Sequence, residues 1–240
     1  MLLERLIMFA RTGNVTWLIS SLKHLAVVIV IVVCSLTIHE AAHAFVSYKL
    51  GDPTAKNQGR LTLNPLKHLD PVGFIVMLLV GFGWAKPVPI DSRYFKNPKR
   101  GMAISALAGP VSNLLLAIIA ALCLTISRLI LIHVWGSASE GVIYFLNIIL
   151  DKVFSYTIVL NVALAIFNFI PIPPLDGSRI LFAILPTKYY FGVMKYERYI
   201  ALGFMALLIV LGLLGISLIE WAVVPISNGL LWLFSWILLI

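Results

Sequence analysis

His24-Leu-Ala-Val-Val-Ile-Val-Ile-Val-Val-Cys34-Ser-Leu-Thr-Ile-His39-Glu-Ala-Ala-His43-Ala-Phe45 is the stretch on which the fold turns. Its run of β-branched residues would suit a buried strand in water. Its length argues otherwise: the apolar run over about 24–46 matches the roughly 20 residues that a helix needs to cross a bilayer. Composition agrees. Of 240 residues, 61% are hydrophobic and 12% charged, whereas a soluble domain is about half apolar and a quarter charged. Several spans leave no room for a large soluble domain beside them.

Upstream, residues 1–11 are interrupted by Glu4, Arg5 and Arg11 and lack a small-residue cleavage site. They read as an interfacial amphipathic helix rather than a signal peptide. Downstream, 47–70 is polar and turn-rich, with Arg60-Leu-Thr-Leu63 alternating as a short strand would. The apolar piece 71–83 is too short to span and reads as re-entrant or interfacial. Residues 84–100 are basic and proline-rich. Further spans are expected at about 102–134, 142–170, 199–219 and 221–240, the last two split by Glu220. A short apolar piece lies at 179–185. The expected fold is therefore an all-α polytopic membrane protein. It has five to six transmembrane helices, a re-entrant or short-strand segment near 60–90, and one domain over 1–240.

The net charge is +8. The cations sit in 47–100 and 178–198, between apolar segments, while 135–141 has no Lys or Arg. This places the two basic regions in the cytoplasm and 135–141 outside. Arg5, Arg11 and Lys23 weigh against an exterior N-terminus. Basic and aromatic residues do not interleave on one face, which excludes nucleic acid as partner. Cys34 and Cys123 lie inside apolar runs and read as small buried hydrophobes, not a disulfide.

His39 and His43 are four apart, so on a helix they share a face about 6 Å apart. Both imidazoles can then reach one tetrahedral metal. Glu40 is rotated off that face and can take a proton from an attacking water without displacing the metal. With five His and five Glu in the chain, chance supplies only about 0.002 such H-E-x-x-H matches. A satisfied polar cluster is the alternative, but ionisable groups inside an apolar span are costly and mark function.

A hydrolytic site needs a third protein ligand and an open position. His24, His133, Glu140 and Asp151 lie toward the opposite side of the membrane, and Glu197 sits between Lys195 and Arg198. Asp52, His68, Asp70 and Asp91 lie in basic loops, where turn and capping roles are ordinary. Asp176 remains. It follows Pro171, Pro173 and Pro174, which prevent helix continuation, and Gly177 permits a turn beside it. Topology alone leaves open an Asp-Gly surface turn just outside the membrane. Gly109-Pro110-Val-Ser-Asn113 opens the second span, with Pro110 at its first turn. Asn113 then lies level with the metal, either to bind substrate or an oxyanion, or to make a helix-packing hydrogen bond. Asn161 and Asn168 read as packing groups or as polar support behind the ligands.

Together these residues resemble the site-2 protease family of intramembrane zinc metalloproteases. His39-Glu-Ala-Ala-His43 is similar to its zinc helix, Gly109-Pro-Val-Ser-Asn113 to its middle motif, and Phe167-Asn-Phe-Ile-Pro-Ile-Pro-Pro-Leu-Asp176-Gly to its Asp-Gly motif. The likeness covers about 24–186. It includes Gly51-Asp-Pro-Thr-Ala-Lys56, Gly59-Arg-Leu-Thr-Leu-Asn-Pro-Leu66 and Gly83-Trp-Ala-Lys-Pro-Val88. The resemblance implies one Zn2+ per chain, held by His39, His43 and Asp176, with Glu40 as catalytic base and the three motif-bearing helices as the core. It implies cleavage of transmembrane segments of other membrane proteins, from a site toward the cytoplasmic side of a prokaryotic plasma membrane. Neither a PDZ nor a CBS domain is expected, which resembles the compact prokaryotic subgroup, and helices 199–240 complete the domain. The alternatives are a non-proteolytic zinc-binding protein or a zinc transporter, and a prenyl-protein endopeptidase, whose third ligand would be a later Glu.

Overall fold

The computed structural model describes residues 2–80, 83–134, 140–186, 195–213 and 218–236. Among them all regular structure is helical. Helix α1 (Leu2–Thr12) ends at Gly13, whose φ of +62° lets the chain reverse. The Asn14 side chain then caps α2 (Val15–Lys49) by accepting from the Trp17 N–H at 2.9 Å. Helix α1 folds back on α2: the Arg5 guanidinium donates to the Ser21 carbonyl at 2.7 Å and lies 3.2 Å from His24 Nδ1.

Helix α2 has 35 residues and is about 52 Å long, well beyond the roughly 30 Å of a hydrocarbon core. It brackets the expected 24–46. Among the described residues, three helices are long and apolar enough to cross a membrane, at Val15–Lys49, Pro98–Ile132 and Gly141–Phe169. The second belongs to α5 (Pro98–Val134) and the third to α6 (Glu140–Phe169). Helices α8 (Glu197–Leu213) and α9 (Leu218–Ser235) cover the remaining apolar segments. The core of the bundle lies where α5, α6 and α9 meet. Ala117, Ala120, Ala121 and Leu124 of α5 pack on Ile158 and Val162 of α6 and on Val223 of α9. The alanines repeat every three or four residues, so the helix backbones approach closely without a driving force from water.

Two expectations are corrected. Pro110 does not open the second span. Helix α5 begins at Pro98, where Asn97 accepts from the Arg100 N–H at 3.2 Å, and Pro110 is buried inside it. A proline ring in mid-helix is tolerated where neighbouring helices enclose the freed carbonyl. Residues 60–63 are not a strand. The Arg60 N–H closes the short helix α3 (Thr54–Asn57) through the Ala55 carbonyl at 2.8 Å, and the Thr62 carbonyl is taken by His68 Nε2 at 2.8 Å. Among the described residues, the 60–90 region holds one isolated antiparallel bridge, Leu69 with Ala85.

Helix α4 (Pro71–Val80) is capped by Asp70, which accepts from the Gly73 N–H at 2.7 Å. The chain returns extended along it from Gly83. The two limbs touch at glycines: a Cβ at Gly83 would overlap the Gly73 carbonyl and sit 2.6 Å from Met77 Cβ. After α6, the prolines at 171, 173 and 174 intervene before α7 (Asp176–Ile184), whose last carbonyl, at Leu185, accepts from Lys99 Nζ at 2.9 Å. Residues 135–139, expected outside the membrane, Lys188 and residues 237–240 lie outside the described residues, as do the side chains of His133, Glu140 and Glu220.

Candidate metal centre

Helix α2 presents His39 and His43, 4% and 5% exposed, toward α5 and the first turn of α7. Asp176, at the start of α7, brings its carboxylate to both rings. Its Oδ2 lies 3.1 Å from His39 Nε2 and 3.2 Å from His43 Nε2, and the two Nε2 atoms are 3.1 Å apart. His43 Nδ1 lies 2.7 Å from the Ser105 carbonyl of α5. A carbonyl only accepts, so Nδ1 carries the proton and neutral His43 turns a bare lone pair inward at Nε2. Three potential ligand atoms converge in a buried space. A single proton can serve only one of the three pairs at a time, whereas a metal ion serves all three. The edges of a tetrahedron with ligands at 2.0–2.1 Å are about 3.3–3.4 Å, close to the observed triangle. Among the described residues this is the single cluster of three or more potential ligands.

Gly109 is what lets α5 reach the rings. A Cβ there would overlap His39 Cε1 and His43 Nε2 and lie 2.6 Å from His39 Nε2. Gly177 serves likewise: a Cβ would overlap the Phe169 carbonyl, so a close approach of backbones, and not a left-handed turn, demands glycine there. Asn113, one turn beyond Gly109, is fully buried, and neither polar atom of its side chain has a protein partner. His39 Nδ1 is likewise buried and unpartnered. Asn161 donates to Ser35 Oγ at 3.0 Å, one turn before His39, and to the Thr157 carbonyl at 2.8 Å. Asn168 donates to the Leu164 carbonyl of its own helix at 2.9 Å. The Glu40 carboxylate accepts from the Val88 N–H at 2.9 Å.

The acids set aside from topology have other work. Asp151 pairs with Arg128, Asp91 with Arg93, Asp70 caps α4, and Asp52 accepts from the Thr54 and Asp91 amides. Sequence reasoning missed Ser105, Ser35 and Val88. Two of these act through backbone groups, which leave no residue-type signal.

The model of peptidase family M50 matches residues 27–212. The chain belongs to this family. Among its relatives, the protein named as a zinc metalloprotease, YwhC, of Bacillus subtilis (strain 168) is 41% identical over 204 residues, covering 85% of this chain and 83% of that protein. The Rip2 protein of Mycolicibacterium smegmatis, also named as a zinc metalloprotease, is 30% identical over 183 residues, or 70% of this chain and 63% of its own length. A zinc metalloprotease of Methanocaldococcus jannaschii is 28% identical over 195 residues, 81% of this chain and 45% of its own. No solved structure matches the chain. The family is one of peptidases, and three helices apolar and long enough to span make this member an integral membrane protein.

Proposed function

We propose that this M50 peptidase is a zinc endopeptidase that hydrolyses peptide bonds within or near transmembrane segments of other membrane proteins. His39, His43 and Asp176 hold the metal, and Glu40 is the general base. The observation that carries the reading is the convergence of three acceptor atoms at 3.1–3.2 Å, beside a glutamate on the same helix. Zn2+ held there would lower the pKa of a water toward about 7 and would polarise the scissile carbonyl. Glu40 has one carboxylate oxygen engaged by Val88 and the other free to take the proton of the attacking water and pass it to the leaving amine. Asn113, buried one turn from Gly109 with its amide unsatisfied, supplies a donor for the developing oxyanion or the substrate backbone. Asn161, through Ser35, holds the turn of α2 that precedes His39. Asn168, hydrogen-bonded within α6, is free to lend its remaining amide hydrogen behind the site.

Helices α8 and α9 complete a five- or six-span bundle as one domain over 1–240, with the catalytic core in 24–186. The hairpin of α4 and the returning 83–91 limb is re-entrant and flanks the site. The cations of 47–100 and 178–198 support a metal site toward the cytoplasmic side of a prokaryotic plasma membrane, from which water would reach it. The partners are the transmembrane segments that are cut and the surrounding lipid. The test is Glu40→Gln: zinc content stays, cleavage stops, and the variant traps membrane proteins that co-purify with it. Full cleavage of a trapped protein by Glu40→Gln would sink the mechanism. Zinc flux across vesicles carrying the protein would favour a transporter instead.

A further inference from the structure

The segment Lys86-Pro-Val-Pro-Ile90 has no part in binding the metal, yet it touches the glutamate beside it. Two prolines make it unusual. Each fixes its own φ and lacks an N–H, and each biases the residue before it toward extended backbone. Lys86 and Val88 are both such residues. The segment is therefore held straight by its own sequence, and Val88 supplies the single N–H of the 87–89 tripeptide.

Where the amides go follows from the contacts. The Lys86 N–H donates to the His68 carbonyl at 2.8 Å, and the Lys86 carbonyl accepts from the buried Arg60 guanidinium. His68, 1% exposed, is itself tied to the Thr62 carbonyl. The Val88 side chain sits in a pocket of Ala44, Ala55, Leu61 and Ile90. Beyond it, the Asp91 N–H donates at 2.8 Å to Asp52, which is fully buried. The Val88 N–H is thus pinned on both sides by buried groups, and it points at Glu40 Oε2 at 2.9 Å. Glu40 lies 48 residues away in sequence, on a helix face that otherwise leaves a flexible side chain free.

We infer that Lys86-Pro-Val-Pro-Ile90 is the positioning device for the base: the Val88 amide fixes one oxygen of Glu40 so that the other is presented to the attacking water. Arg60 acts one step further back, through the Lys86 carbonyl. The inference rests on Glu40 being the base. A carboxylate held by one rigid amide loses the rotamers in which it points elsewhere, and those rotamers would lower turnover without touching substrate binding or zinc.

Two measurements test it on the full-length protein in detergent. A peptide spanning 87–90 carries just two exchangeable amides, Val88 and Ile90, so hydrogen exchange followed by mass spectrometry reads the contact directly. Glu40→Ala should speed exchange in this peptide at least about tenfold, as loss of a charged acceptor implies, and unchanged exchange overturns the inference. The second uses an ester in place of the Val88 amide, introduced by translation with the α-hydroxy analogue of valine, which removes the N–H and keeps the side chain. With a membrane protein trapped by Glu40→Gln as substrate, kcat should fall about tenfold or more, with KM within about twofold and zinc stoichiometry unchanged. Arg60→Lys, which keeps the charge, should retain more activity than Arg60→Gln. If the ester cleaves at the wild-type rate while Glu40→Gln is inactive, Glu40 is the base and Val88 does not position it. If Glu40→Gln is itself active, the reading of Glu40 fails instead.

Discussion

The substitution Gly109→Ala adds one carbon where α5 crosses α2. That carbon would overlap His39 Cε1 and His43 Nε2 and come within 2.6 Å of His39 Nε2. Ordinary contact requires about 3.5 Å, so the rings or the helix must give by roughly 0.9 Å at His39 Nε2 and by more at the two nearer atoms. Metal–ligand distances tolerate only about 0.2 Å. The rings have little room, because His43 is tied to the Ser105 carbonyl at 2.7 Å and both histidines are buried. Helix α5 has little room either, because Ala117, Ala120 and Ala121 lock it to α6 about two to three turns on. Overpacking of this kind costs about 1–3 kcal/mol. If that cost falls on the metal-binding geometry, zinc affinity drops about 5- to 150-fold. The assay is competition with a zinc chelator of known affinity, read as zinc per protein, alongside thermal unfolding to show that the bundle persists. Gly203→Ala and Gly229→Ala are the controls, since a Cβ at either meets nothing within 4 Å, and both should bind zinc as wild type. Zinc affinity of Gly109→Ala within twofold of wild type would refute the reasoning.

Asp176→Ala removes one of three converging ligand atoms and should lower zinc affinity by more than the roughly 10- to 100-fold typical of an outer-shell change; unchanged zinc content would strike Asp176 from the ligand set. Asp52→Ala leaves the Thr54 and Asp91 amides without their buried acceptor, and should cost about 3 kcal/mol, seen as an earlier denaturation midpoint. An unshifted midpoint would mean water replaces the carboxylate freely. Ala121→Leu forces a larger side chain between α5 and α6, where Ala121 is 1% exposed. It should destabilise the bundle by about 1–3 kcal/mol while leaving zinc binding intact, and zinc loss at full stability would contradict the division between bundle core and metal centre.

How far the sequence could be read depended on whether side chains or backbone carried the signal. The run His24–Phe45 announced a membrane helix, and His39-Glu-Ala-Ala-His43 a metal site, because both are patterns of side chains. The apolar window ended near 24, yet α2 continues to the Asn14 cap, since solvated turns beyond the membrane carry no hydropathy signal. Pro110 was placed at a helix start because that is its preference in water, whereas a packed bundle encloses the carbonyl it frees. Arg60–Leu63 alternates as a strand does, but alternation cannot say whether a partner strand exists. Asp176 emerged by screening and by resemblance, and the structure now puts its oxygen 3.1 Å from His39 Nε2. Ser105 and Val88 were invisible: the first acts through a carbonyl and the second through an N–H, which every residue but proline possesses.

The centre is built from two supports of different kinds. The three converging ligand atoms stand on helices, with α5 meeting α2 at Gly109 and α7 meeting the end of α6 at Gly177, where only hydrogen fits between backbone and ring or backbone and backbone. The glutamate is met instead by an extended segment, straightened by two prolines and pinned by Asp52, Arg60 and His68. Tight helix contacts resist displacement of a few tenths of an ångström, which suits a metal. The extended segment is held instead by buried groups on both sides of Val88, which suits a base that must keep one orientation. The two supports share no hydrogen bond: Gly109 and Ser105 reach the histidines, and Val88 reaches Glu40. Damage to one should therefore leave the other standing. Gly109→Ala is expected to bind zinc more weakly while Val88 stays protected from exchange by Glu40, and the Val88 ester to keep its zinc affinity while turnover falls. Loss of both properties from either change would show a single coupled unit, and the separation argued from the contacts would be wrong.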